Sequence, residues 1–168
     1  EQKKKVVIAG GGPAGLEAAR VAALRGHNVI LYDKENRLGG SINTASIVKG
    51  FQGEALLELI QYYKTQVTRL GVDIRLGKEV DQALIKEIKP DVLIIAAGGT
   101  HNIPDIPGIN GRNVMTGRNL NRQLKKYMGF FGPVLLKKLA NYWLPIGKRV
   151  VIMGGGIHGC QIAEFLVK

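Results

Sequence analysis

The stretch Lys5-Val6-Val7-Ile8-Ala9-Gly10-Gly11-Gly12-Pro13-Ala14-Gly15 decides the fold. Lys5 to Ala9 is a compact apolar run closed by Gly10, the pattern of a strand buried on both faces of a parallel sheet. Pro13 to Arg25 follows with helical spacing and abundant alanine, and Gly26 stops it. Asn28 to Tyr32 is a second β-rich run leading to Asp33, so this opening reads as one βαβ unit with a right-handed crossover.

Gly10, Gly12 and Gly15 stand at GxGxxG spacing, and each has a physical task. Gly10 makes the tight turn, Gly12 lets the backbone approach a pyrophosphate, and Gly15 allows the helix to sit close on the strand. The amides at the helix start, with the positive end of its dipole, then face an anion. Asp33, closing the second strand, is placed to accept hydrogen bonds from ribose hydroxyls. A lone GxGxxG is weak, but here strand, helix and terminal acid agree on a dinucleotide site.

Outward from this unit, Lys34 to Phe51 reads as a loop. Glu54 to Leu70 then puts Leu56, Leu59, Ile60, Tyr63 and Val67 on one helical face before Gly71. Val72 to Leu76 predicts a strand, Gln82 to Ile88 a short helix, and Val92 to Ala96 an apolar strand stopping at Gly98-Gly99. The fold class expected is α/β, a Rossmann-type doubly wound parallel sheet. The connector Ile103 to Gly108 carries two prolines. A second strand-and-glycine cluster, Arg149 to Gly156, is followed by helical Ile157 to Lys168, and predicts the truncated start of a second Rossmann-type unit. One βα cannot bury both faces of a sheet, so the chain reads as a piece of a longer protein.

The expected division is a dinucleotide domain over 1–111, a basic connector over 112–147 and the opening of a second domain over 148–168. Composition fits: 168 residues, 45% apolar and 22% charged, are ordinary for a folded domain. The 23 glycines sit in short clusters and not in a repeat. One cysteine, Cys160, excludes a disulfide framework and a CxxC pair and fits a reducing cytoplasm. No apolar run approaches the roughly 20 residues that span a bilayer.

Five motifs occur in register: Gly10 to Gly15 with Asp33, Arg37-Leu38-Gly39-Gly40, Ala96-Ala97-Gly98, Ile106-Pro107-Gly108, and Gly154-Gly155-Gly156-Ile157-His158-Gly159. Their order resembles the two-dinucleotide flavoproteins of the pyridine nucleotide-disulfide oxidoreductase family. Within it, the chain is most similar to the C-terminal half of 2,4-dienoyl-CoA reductases and enoate reductases of the Old Yellow Enzyme type. The resemblance implies FAD at the first site and NADH or NADPH at the second. It implies that Gly10, Gly12, Ala14 and Gly15 hold the FAD pyrophosphate and Asp33 its adenosine ribose, with Pro13 and Lys34 also among the cofactor-binding residues. Arg37, Gly39, Gly40 and Ser41 would line the ribityl and flavin side, Val80 the adenine, and the backbone of Ala97 and Gly98 would pass close to the cofactor. Gly154, Gly156, Ile157 and Gly159 would cradle the nicotinamide dinucleotide. It further implies a partner, the remainder of the parent enzyme, with an FMN-binding barrel and an iron-sulfur cluster. The lack of a CxxC excludes the disulfide-reducing branch.

The segment from Arg112 to Arg149 carries nine Lys or Arg and no Asp or Glu, supplying most of the +11 net charge. Leu135, Leu136, Leu139, Tyr142 and Trp143 mix with Lys137 and Lys138 in an amphipathic pattern. A helical element docking on the rest of the enzyme is the expectation. A membrane surface or an acidic partner is the less favoured alternative, membrane association of the protein is not expected, and nucleic acid is disfavoured because no recognition module accompanies the charge. His27, His101 and His158 lack ligand spacing, so no metal is expected. Cys160 reads as a small packing residue.

The expected function is that of an FAD-dependent NAD(P)H oxidoreductase module, in which hydride passes from NAD(P)H to FAD and electrons go onward to a second centre. No side-chain acid or base is needed for that transfer, so no catalytic residue is assigned. The alternative is a non-catalytic dinucleotide- or ADP-binding structural module. A simple NAD-dependent dehydrogenase leaves Gly154 to Gly159 unexplained.

Overall fold

The computed structural model describes residues 2–48, 52–100, 102–123, 125–126, 147 and 149–167. Contacts divide the chain into two units, Glu1–Asn43 with Ala55–Gly99, and Thr44–Glu54 with Thr100–Lys168.

The first unit holds the sheet. Strands β1 (Lys5–Ala9), β2 (Asn28–Asp33), β3 (Asp73–Leu76) and β4 (Val92–Ile95) are all parallel, in the order β3-β2-β1-β4. The chain thus moves outward from β1 through β2 to β3 and then returns to β1's other side. The reversal between β1 and β4 is a topological switch point, where open α/β sheets bind ligands at the carboxyl ends of their strands.

Alternation along each strand feeds two layers. Val6, Ile8, Val29 and Leu31 face Leu16 and Ala19 of helix α1 (Pro13–Leu24) and Ile60 and Val67 of helix α3 (Gln52–Arg69) in one buried cluster. On the opposite face Val7 and Tyr32 pack with Leu84 of helix α4 (Gln82–Ile88), joined by Ile30, Val80, Ile85 and Ile88. This second layer is thin over β4. Leu93, paired with Val7, is exposed, and Ile95, paired with Ala9, is 76% exposed.

The 34–51 loop expectation needs correction, because helix α2 occupies Ile42–Val48. Its sequence, Ile-Asn-Thr-Ala-Ser-Ile-Val, is weak in intrinsic helix propensity, and burial of Thr44, Ser46 and Ile47 overrides it. In the second unit, a Cβ on Gly53 would strike the Ser46 carbonyl, so the start of α3 lies against α2. Helix α5 includes residues 117–123, and helix α6 spans Ile157–Val167.

A second correction concerns Arg149 to Met153, expected as a buried strand. These residues are exposed, Val151 at 95%, and no described strand pairs with them. An apolar β run becomes a strand only when a neighbour supplies the ladder, and here none of the described residues does. The amphipathic stretch around Leu135 to Trp143 lies outside the described residues. No helix among the described residues is long and apolar enough to cross a membrane.

Candidate dinucleotide-binding site

Local sequence shapes the end of β1. Gly10 takes φ +116°, a conformation that costs a side chain dearly, and its N–H donates to the Tyr32 carbonyl at 2.8 Å. A Cβ on Gly10 would run into the Ala96 carbonyl at the end of β4, and one on Gly15 into the Gly10 carbonyl. The turn is therefore closed against both β4 and its own helix, at the switch point.

Gly12 is the N-cap of α1, with no side-chain cap, and Pro13 follows at the first helical position. Leu16 makes the first intrahelical bond, its N–H donating to the Gly12 carbonyl at 2.9 Å. Pro13 has no N–H, so Ala14 and Gly15 present the helix-start amides that the helix itself does not use. No acidic residue stands in the first turn to neutralise the dipole. A Cβ on Gly12 would meet only the Gly40 Cα, at 4.0 Å. This is the opening a phosphate needs.

Asp33, 8% exposed, closes β2 beside this opening. Its Oδ2 accepts the Gly11 N–H at 2.6 Å, and its Oδ1 accepts the Glu35 N–H at 2.8 Å. The Asp33 carbonyl accepts from Lys78 at 3.0 Å and the Glu35 carbonyl from Gly77 at 3.1 Å, tying the loops after β2 and β3 into one rim. Val80 follows on that rim, half-buried against Val7, Tyr32 and Leu84.

The loop over 37–41 lies on the glycine turn. Gly39 N–H donates to the Gly11 carbonyl at 2.8 Å, and a Cβ on Gly40 would sit 3.1 Å from the Gly12 Cα. Buried Leu38 leans on Gly11, and the Asn43 amide donates to the Leu38 carbonyl at 3.0 Å.

Gly10, Gly12, Gly15, Asp33, Gly39 and Gly40 are thus gathered at the carboxyl ends of β1 and β2. Pro13 and Ala14 open the helix; Lys34, Arg37 and Ser41 are exposed on the flanking loop; Ala97 and Gly98 are exposed just past β4. Gly11 and Leu38 received no role from the motif. The signal for Gly11 was a third consecutive glycine where GxGxxG requires none.

In the second unit the other cluster repeats the first turn locally. Gly154 takes φ +112°, and a Cβ on Gly159 would strike the Gly154 carbonyl, as Gly15 would strike Gly10. Gly154, Gly155 and Gly156 have open space around them, and α6 starts at Ile157, again with no acid in its first turn. Cys160, expected to pack, is exposed, because α6 buries none of its described residues; its Sγ faces the Gly155 carbonyl at 3.5 Å.

The sequence profile of the pyridine nucleotide-disulphide oxidoreductases matches residues 4–168. Bilirubin reductase of Mediterraneibacter gnavus is 38% identical over 100% of this chain and 23% of its own length. Cinnamate reductase of Clostridium sporogenes is 34% identical over 99% of this chain and 22% of its own. The solved structure of a 2-naphthoyl-CoA reductase in complex with 2-naphthoyl-CoA superposes with a TM-score of 0.77 at 34% identity, covering 98% of this chain and 22% of that one. The chain therefore spans less than a quarter of the length of each of these three relatives.

Proposed function

Because the chain belongs to the pyridine nucleotide-disulphide oxidoreductase family, we propose that it is the FAD-holding module, with the opening of an NAD(P)H site, of a larger reductase. The observation that carries this reading is the unfilled approach to Gly12, flanked by the Ala14 and Gly15 amides and by a strand-end carboxylate. These residues fit a dinucleotide: amides for the pyrophosphate, Asp33 for the ribose through the lone pairs its two backbone bonds leave over. Bound there, FAD supplies a two-electron acceptor for a nicotinamide hydride.

What the chain itself does is bind and orient. Gly10 and Gly15 hold α1 close enough for its dipole to act on the phosphates. The rim from Asp33 to Lys78 frames the adenosine, with Val80 offering apolar surface to the adenine. Lys34 flanks the ribose, and Arg37, Gly39, Gly40 and Ser41 lie along the ribityl side, with Ala97 and Gly98 beside them. In the second unit Gly154, Gly156, Ile157 and Gly159 form the matching turn for NADH or NADPH. The division into 1–111, 112–147 and 148–168 belongs to the same reading.

The relatives are named for reductions of bilirubin, cinnamate and 2-naphthoyl-CoA, all conjugated unsaturated compounds. A conjugated acceptor is accordingly the substrate class proposed for the whole enzyme. An FMN barrel with an iron-sulfur cluster, in a cytoplasmic protein, would receive the electrons. The test is the purified chain: its released cofactor, identified by absorbance and mass spectrometry, is expected to be FAD. A colourless protein carrying ADP would favour the structural-module alternative.

A further inference from the structure

We propose that Asp33 is a positioning residue for the 37–41 loop, acting through the backbone of Gly11, in addition to accepting from the ribose. The proposal rests on the dinucleotide reading above, which supplies the ligand but not the coupling.

Three residues from separate parts of the chain are joined in series. Asp33, at the end of β2, accepts the buried Gly11 N–H at 2.6 Å. Gly11, in the turn after β1, uses its carbonyl to accept the Gly39 N–H at 2.8 Å. Gly39 begins the turn that carries Gly40 over Gly12. No slack remains beside this relay, because a Cβ on Gly11 would sit 2.6 Å from Leu38 Cδ2 and 2.9 Å from Asp33 Oδ2. Residue 33 must also accept twice, since Oδ1 holds the Glu35 N–H. A carboxylate does this with both oxygens; an amide of the same shape has one acceptor and turns its NH2 group on one of the two N–H donors. The strand end that would meet the adenosine and the loop that would meet the flavin side are therefore one hydrogen-bonded assembly.

The experiment is hydrogen exchange followed by mass spectrometry on the ligand-free chain, comparing wild type, Asp33→Asn and Asp33→Ala, with urea unfolding as control. Exchange over 37–41 is expected to speed up about tenfold in both variants, while Val6 to Ile8 and Leu31 keep their protection. Unchanged exchange over 37–41 in a folded variant overturns the proposal, as does an equal rise across the sheet. A wild-type measurement guards against variants that do not fold: saturating AMP, which ends at one phosphate, is expected to slow exchange over 37–41, and AMP binding without that effect also overturns it. Failure to bind FAD would instead remove the proposed function and leave the ligand-free comparison intact.

Discussion

Two glycines of one motif separate stability from binding. Gly15→Ala puts a methyl into the Gly10 carbonyl, a backbone atom that cannot swing aside, so a loss of about 1 to 3 kcal/mol in urea unfolding is expected. Gly12→Ala meets only the Gly40 Cα at 4.0 Å, so its stability should change by less than about 0.5 kcal/mol while FAD affinity, measured by titration, falls. Equal stability losses in the two would refute the division of labour. Asp33→Ala should weaken FAD by about 1 to 3 kcal/mol through lost charge-assisted bonds, directly at the ribose and through the turn. At this scale the sequence was informative because Gly10, Gly12, Gly15 and Asp33 have tasks fixed by spacing. It was silent on Gly11 and Leu38, whose contact joins segments far apart in the chain and leaves no local period to read.

Helix ends and faces carry the next set of expectations. Asp81 caps α4, its Oδ1 accepting the Leu84 N–H at 2.8 Å, so Asp81→Ala should cost about 1 kcal/mol in thermal unfolding. Along α1, Glu17 and Arg20 form a bidentate pair at 2.7 Å, and the hydrogen bond from Arg20 holds the Glu17 carboxyl below its ordinary value. A depressed carboxyl adds stability that is complete above its unfolded pKa and disappears as pH falls through the folded one. The pair is half-buried at the surface and still reached by solvent, so the melting difference between wild type and Glu17→Gln should be small, shrink with salt and vanish on the acid side. A difference that grows with acid would contradict the assignment. Elements with strong apolar periodicity, β1, β2, α1, α3 and β4, could be read directly from the chain. Helix α2 could not, because its Ser, Thr and β-branched residues favour helix only once buried. Arg149 to Met153 has strand character with no described neighbour to pair with, and character alone does not make a ladder.

For the whole molecule, the parallel doubly wound class was legible in one strong βαβ unit and its crossover rule, whereas neither the strand order β3-β2-β1-β4 nor the division into two units by contact was visible in any local pattern. With Gly154 to Gly156 open and no described strand beside 149–153, NADH titrated into this chain should show no saturable binding at the second turn, as read by nucleotide fluorescence. Tight, stoichiometric binding there would mean that flanking strands are dispensable. The sheet's thin face has a consequence of a different kind. Along Val92–Ile95 the outer row of N–H and C=O groups meets no described strand, and Leu93 and Ile95 are exposed beside it. An apolar edge without a charged residue is a template for the same edge of another copy. In concentrated solution the chain should therefore aggregate by edge-to-edge stacking, visible as light scattering that climbs with concentration. Ile95→Lys, a gatekeeper charge at the most exposed point of that edge, should keep it dispersed without loosening the core.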